Sequence, residues 1–182
     1  LLTGDELVEP GTPLKPGQIY NSNRYWLQSL LTEIGCHVLD PGIVADTPEA
    51  TRAALHEASE KADVIITCGG VSVGEEDHVR AAVASMGRID LWQIAMKPGK
   101  PLAYGKAGEA DFIGLPGNPV SAFVTFVLMG LPFLQLRMGL PVKPLAAQQL
   151  QADFAWPKAD RRREFIRVRQ KTDDKGHISL DR

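Results

Sequence analysis

The residues with the strongest chemical character fall in a few short segments. "CGGVSVGEEDHV" (68–79) follows the apolar run "DVIIT". It reads as a strand that breaks into a glycine turn and then enters a helix. Gly69, Gly70, Ser72 and Gly74 leave backbone N–H groups open, and a helix N-terminus beside them favours an anion. Glu75, Glu76 and Asp77 stand at the mouth of the same turn. The spacing of Gly69 and Gly74 matches a P-loop. A P-loop requires Lys and then Ser or Thr after the second glycine, and Glu75 and Glu76 occupy those positions. Helix N-terminal charge accounts for Glu75 or Glu76. Asp77 combines instead with a second turn acid, Asp46. Two carboxylates flanking an anion site can hold Mg²⁺, which bridges them to phosphate oxygens.

"KPGKP" supplies the opposite sign through Lys97 and Lys100. Two ammonium groups this close repel unless an anion sits between them, and a solvated turn is the competing reading. "GLPGNPVS" carries Pro116, a cap residue at Asn118, and Ser121 in the first turn of a helix, where N–H groups are free. "TGDE" places Thr3, Gly4 and Glu6 in another short turn. The four histidines, His37, His56, His78 and His177, are scattered without metal-site spacing.

These segments need a frame. The spacing predicts helices over 22–35 (capped by Ser22 or Asn23, ended by Gly35), 47–61 (Thr47 cap, Pro48 first), 77–87 and 119–138. Strands are expected over 36–44, 63–68 and 111–117, with strand material on both sides of the 96–101 turn. Strands alternating with helices specify an α/β fold with a mainly parallel sheet covered on both faces. Ligands then gather beyond the strand carboxyl ends. The turns 3–6, 44–48, 69–77, 96–101 and 114–121 are therefore expected on one edge. "GLPVKP" (139–144) reads as a linker, which divides the chain into residues 1–140 and 141–182. "DRRREFIRVRQ" reads as a strand with a basic, solvated face.

Apolar residues make up 44% of the 182 and charged residues 23%, enough for a proper core. A net charge of −2 gives no indication of a nucleic-acid or anionic-membrane partner. Cys36 and Cys68 lack CxxC spacing and read as reduced packing residues of a cytoplasmic protein. No apolar run is long enough to suggest a bilayer span.

"TGDEL", "GGVSVGEED", "KPGKP" and "GLPGNPVS", in this order and spacing, closely resemble the molybdopterin molybdenumtransferase (MoeA) family, related to the gephyrin E domain. "RREFIR" continues the likeness more faintly, as the opening of that family's C-terminal β-domain. The resemblance implies a three-layer α/β/α sandwich of the MogA-like, molybdopterin-binding kind, followed by a small all-β domain. It implies Mg²⁺-dependent insertion of molybdate into adenylylated molybdopterin, with release of AMP. By motif, Asp46 and Asp77 match residues that serve the metal and the pyrophosphate. Lys97, Lys100 and Ser121 match positions near the oxyanion, and Arg162 matches an arginine that holds molybdate. Asp46, Asp77, Lys97 and Lys100 form the implied catalytic set. Thr3, Gly4, Glu6, Gly69, Gly70, Ser72, Gly74, Pro116, Asn118, Ser121 and Arg162 form the implied ligand-binding set. The resemblance also implies a homodimer working among other molybdenum-cofactor biosynthesis proteins, and it makes this chain a fragment of the enzyme, inactive alone. The alternatives are the sister molybdopterin adenylyltransferase and a non-catalytic scaffolding module of the same fold. "KPGKP" and residues 141–182 favour the molybdenum-inserting family.

Overall fold

The computed structural model describes residues 1–71, 78–142, 145–156 and 159–182. Strands β1 (Leu2–Thr3), β2 (Leu7–Val8) and β3 (Ile19–Tyr20) lead into helix α1 (Ser22–Glu33). β4 (Ile43–Val44), α2 (Pro48–Lys61), β5 (Val64–Cys68) and α3 (His78–Met86) follow. Then come β6 (Gly87–Trp92), β7 (Met96–Lys97), β8 (Ala103–Ala107), β9 (Ala110–Leu115) and a long helix, α4 (Pro119–Arg137). The tail adds β10 (Gln151–Ala152), β11 (Arg163–Glu164), β12 (Arg169–Thr172) and β13 (Ile178–Asp181).

A six-stranded sheet runs in the order β4-β1-β5-β9-β8-β6. β4, β1, β5 and β9 are mutually parallel, while β8 runs antiparallel to both of its neighbours. The period-2 alternation of the strands sends side chains to two separate cores. On one face, Cys68, Ile113 and Leu115 pack with Leu27 and Leu31 of α1 and Phe126 and Leu134 of α4. On the other, Ile65, Ala103 and Phe112 pack with Leu55 of α2 and Val79 and Val83 of α3. This is the three-layer α/β/α sandwich expected from the sequence. A smaller β region follows it, with β10, β13 and β12 in one sheet. β11 pairs instead with β7, so the tail reaches back to the main body.

Local chemistry explains the boundaries. Thr47 caps α2, its side chain accepting from the Ala50 N–H at 3.2 Å, with Pro48 behind it. Gly35, at φ +91°, lets the chain leave α1. The cap position of α1 is Asn21 rather than Ser22 or Asn23, and it makes no side-chain cap bond. The strand expected over 36–44 is reduced to Ile43–Val44. The Asp40 carboxylate accepts from the Gly42 N–H at 2.9 Å and from Arg24, closing a turn where a ladder was expected. The tail strand is likewise broken, because β11 follows β7 while β12 follows β13.

α4 contains one wide turn over Phe126–Gly130, in which the Leu131 N–H reaches the Phe126 carbonyl. Pro132 explains the widening, since it has no N–H for the preceding turn and its ring crowds that turn's carbonyl. By length and composition, α4 is the one helix among the described residues apolar enough to cross a membrane, against the reading of the sequence. Here Ala122, Thr125, Phe126 and Leu134 are buried against the sheet. Both cysteines are free, and burial pushes the Cys68 thiol up to about 12 and Cys36 upward. Both stay protonated at neutral pH.

Phe112 is fully buried at the centre of β9. Phe112→Ala is expected to destabilise the fold by about 3–5 kcal/mol, measured by urea unfolding. A loss below about 1 kcal/mol would show that this core does not hold the sheet.

Candidate functional site

The strand registers decide where the chemistry collects. Thr3 lies opposite Val44, Leu2 opposite Cys68, and Cys68 opposite Leu115, so β1, β4, β5 and β9 end level. Ala103, the first residue of β8, pairs with Gly114 and with Trp92, the last residue of β6. The 93–102 loop therefore opens on the same edge, although it joins two antiparallel strands rather than a strand to a helix.

Contacts knit the turns together. The Thr3 hydroxyl donates to Asp46 Oδ1 at 3.3 Å. Gly69 donates to the Leu115 carbonyl at 3.0 Å, and its backbone packs against Thr3 and Gly117. Gly4, at φ +144°, leaves space that the Glu6 carboxylate fills. Gly70, at φ +63°, lies so close to Val79 that a Cβ would stand 2.3 Å from it. Pro116 is buried, and Asn118 caps α4 by accepting from the Ser121 N–H at 3.1 Å. Pro119 has no N–H and Ala122 donates to the Asn118 carbonyl. The Ser121 hydroxyl also donates to Asn118 Oδ1, at 3.4 Å, so the Val120 amide is the backbone donor that the first turn of α4 can offer a ligand. The N-termini of α2 and α4 follow directly on strand ends at this edge, α3 begins beside Gly70, and α1 is tied in through Asn23 Nδ2, which donates to the Gly117 carbonyl at 2.8 Å. Several positive helix ends therefore face one place, which suits a polyanion.

The cations stand beside this group. Gly99, at φ +108°, packs the 96–101 turn onto α4 near Thr125 and the Ser121 carbonyl. Lys97 forms an ion pair with Glu164 at 2.6 Å, and Arg162 pairs with Asp160 at 2.7 Å. Asp160 accepts from the Arg162 guanidinium and backbone N–H, which holds its carboxyl well below the usual range. Lys100 is exposed and has no ion-pair partner among the described residues.

Ser72, Gly74, Glu75, Glu76 and Asp77 lie outside the described residues. The pairing of Asp77 with Asp46 therefore has no structural account. Among the described residues, no group of three or more His, Cys, Asp or Glu side chains is arranged for a metal. Mg²⁺ keeps several waters and needs only one or two carboxylates plus ligand oxygens. Asp46 fits that requirement: it is exposed, with one oxygen oriented by Thr3.

A cavity of about 940 Å³ lies elsewhere, at the opposite edge, between the amino end of β5 and the carboxyl ends of α1, α2 and α4. Helix carboxyl ends repel phosphate. The carboxyl edge of the sheet is the better anion site. Three residues there escaped sequence reasoning. Asn23 reads as a cap and instead ties α1 to the 114–118 turn. Asn21 is buried with both amide atoms unpartnered among the described residues. Glu164 sits inside a basic run whose charge pattern hides its pairing with Lys97.

A Cβ on Gly99 would meet Thr125 Oγ1 at 2.3 Å in a left-handed conformation, whereas one on Gly117 would have ordinary contacts. Gly99→Ala is expected to cost about 2 kcal/mol or more, and Gly117→Ala about 0.5 kcal/mol or less. Thermal melts of the two variants check this, and equal melting would contradict the packing of the turn.

The chain is similar to known proteins over most of its length. The family model described as "Probable molybdopterin binding domain" matches residues 1–136. The molybdopterin molybdenumtransferase of Haemophilus influenzae is 48% identical over 158 residues, covering 87% of this chain and 36% of that protein. The molybdopterin biosynthesis MoeA protein of Pyrococcus horikosii superposes with a TM-score of 0.67 at 33% identity, over 76% of this chain and 34% of that one. A second structure, of the moeA protein from Pyrococcus horikoshii, covers 98% of this chain and 41% of its own, with a TM-score of 0.69 at 22% identity, a likeness of fold. The chain spans about a third of the length of the Haemophilus relative. With the family model matched over most of the chain, this protein belongs to the MoeA/MogA molybdopterin-binding family.

Proposed function

We propose that this chain carries the pterin- and phosphate-binding edge of a molybdenumtransferase, which inserts molybdate into adenylylated molybdopterin and releases AMP. The observation that carries the reading is the level ending of β1, β4, β5 and β9, which gathers glycine turns, helix N-termini and the lysine turn on one edge. The pyrophosphate lies against Gly69, Gly70, Val120 and Ser121, where the Val120 amide and the positive helix ends offset its charge; the Gly69 and Ser121 amides are already bonded to Leu115 and Asn118. Gly69 and Gly117 keep side chains out of the way of the ligand. Lys97, Lys100 and Arg162 hold the tetrahedral oxyanion by charge-assisted hydrogen bonds, and Glu6 closes the turn over Gly4.

Asp46, with Asp77, holds Mg²⁺, and Thr3 orients the Asp46 carboxylate. When bound, Mg²⁺ offsets the charge of the phosphate oxygens. The protein's own contribution is to keep pterin, phosphate and oxyanion in fixed mutual positions, which lowers the entropy cost of their reaction. Homodimer formation and work beside other molybdenum-cofactor biosynthesis proteins belong to this same reading.

Asp46→Asn preserves shape and removes a charge. It is expected to lower Mg²⁺-dependent AMP release by roughly a hundredfold, and Thr3→Val, which only frees the carboxylate, by about tenfold. Product analysis in the same assay separates this reaction from the sister one, which makes adenylylated molybdopterin rather than consuming it. Wild-type turnover in Asp46→Asn would end the metal assignment. Lys100→Ala is expected to weaken molybdate binding with little change in melting temperature, and unchanged affinity would make the lysine merely a surface residue.

A further inference from the structure

We infer that Glu164, together with Asp160, is a built-in counter-ion that an incoming tetrahedral dianion must displace, so that the two acids set how tightly this cluster binds the anion. The inference rests on the reading that Lys97 and Arg162 receive molybdate. Its starting point is a pairing held by backbone. β11 and β7 run parallel with Glu164 opposite Lys97. The Arg163 N–H donates to the Ala95 carbonyl at 2.9 Å, and the Phe165 N–H to the Lys97 carbonyl at 2.7 Å. The ladder therefore delivers the Glu164 carboxylate to the Lys97 ammonium at 2.6 Å. The acid is the more sheltered partner, its side chain 17% exposed against 48% for Lys97. The second cation is matched in the same way. Arg162 donates to Asp160 from its backbone N–H, from Nε at 3.1 Å and from Nη2 at 2.7 Å.

Lys97 also acts electrostatically on Asp160, and Glu164 on Arg162, so the four groups form one cluster with no formal net charge. A site built only to attract an oxyanion would leave its cations uncompensated. Here only Lys100 lacks an ion-pair partner among the described residues, which makes it the first point of contact. A dianion outcompetes a carboxylate for two cations at similar distance, whereas a monoanion gains little by the exchange. The acids thus weaken all anions and penalise singly charged ones most. The ordinary alternative is that the Glu164–Lys97 pair simply pins the tail to the 96–101 turn, while Asp160 and Arg162 close a local turn of the tail.

Glu164→Gln and Asp160→Asn keep size and hydrogen bonding while removing the charge. Calorimetric titration of the protein with sodium molybdate is expected to show roughly three- to tenfold tighter binding in Glu164→Gln, the size of a half-exposed ion pair. Asp160→Asn should move the same way, and nitrate affinity should rise by a larger factor in both. Molybdate binding that is equal or weaker in both variants, with unchanged thermal melts, would overturn the counter-ion role. So would a large fall in melting temperature with no gain in affinity, which is the signature of a tail pin. Lys97→Ala separates the inference from its foundation: if it leaves molybdate affinity intact, the oxyanion assignment fails and the counter-ion role fails with it.

Discussion

The parallel ladder between β5 and β9 is the constraint on which the rest depends. Its five paired residues, Val64 opposite Asp111 through Cys68 opposite Leu115, bring two buried strands to a level end. The Gly69 N–H extends the ladder by one more bond, to the Leu115 carbonyl. Only after that bond does the chain turn outward, into a glycine pair whose positive φ values exclude most side chains. A slip of one residue would exchange Phe112 for Ile113 between the two cores and separate Gly69 from Gly117. The positions of β1 and β4 follow from the same register, because β1 pairs with β5 on one side and β4 on the other.

With the edge defined, its electrostatics follow from the topology. Every parallel strand that hands over to a helix here presents a positive helix end to the same place. Lys97, Lys100 and Arg162 add full charges of the same sign. Unbalanced, these would repel one another, and Glu164 and Asp160 stand beside Lys97 and Arg162. Asp46 is held by a hydroxyl, while Asp160 and Glu164 are held by cations. The opposite edge shows the converse arrangement. Asp111, nearly buried, is clasped by Arg137 and by Lys106 at 3.0 Å, so its charge is spent on stability.

Much of this was readable from residue order. The Thr-Pro-Glu start of α2 and the Asn-Pro start of α4 specify caps by local chemistry, and both caps form. The alternation of apolar runs and amphipathic stretches identifies the sandwich, since burial on both faces requires it. Part of what escaped is local: the Asp-Pro-Gly of "CHVLDPGIV" closes a turn through Asp40 and Gly42, with Arg24 added, and so shortens an edge strand. The rest is long-range. The strand material expected on both sides of the 96–101 turn forms, but β8 lies antiparallel between β6 and β9, a direction that residue order does not give. Asn23 contacting Gly117, and Glu164 contacting Lys97, join residues far apart in sequence, where composition carries no signal. The Asp46–Asp77 partnership falls on residues of which one is not described, and it stands on motif alone.

The central claim is that the carboxyl edge, and not the cavity at the amino edge, receives the ligand. Hydrogen–deuterium exchange on the protein with and without adenylylated molybdopterin tests it directly. The account predicts slowed exchange in segments 3–6, 44–48, 69–71 and 117–122, with the cavity-lining segments 36–41 and 61–64 unchanged. Protection confined to 36–41 and 61–64 would contradict it.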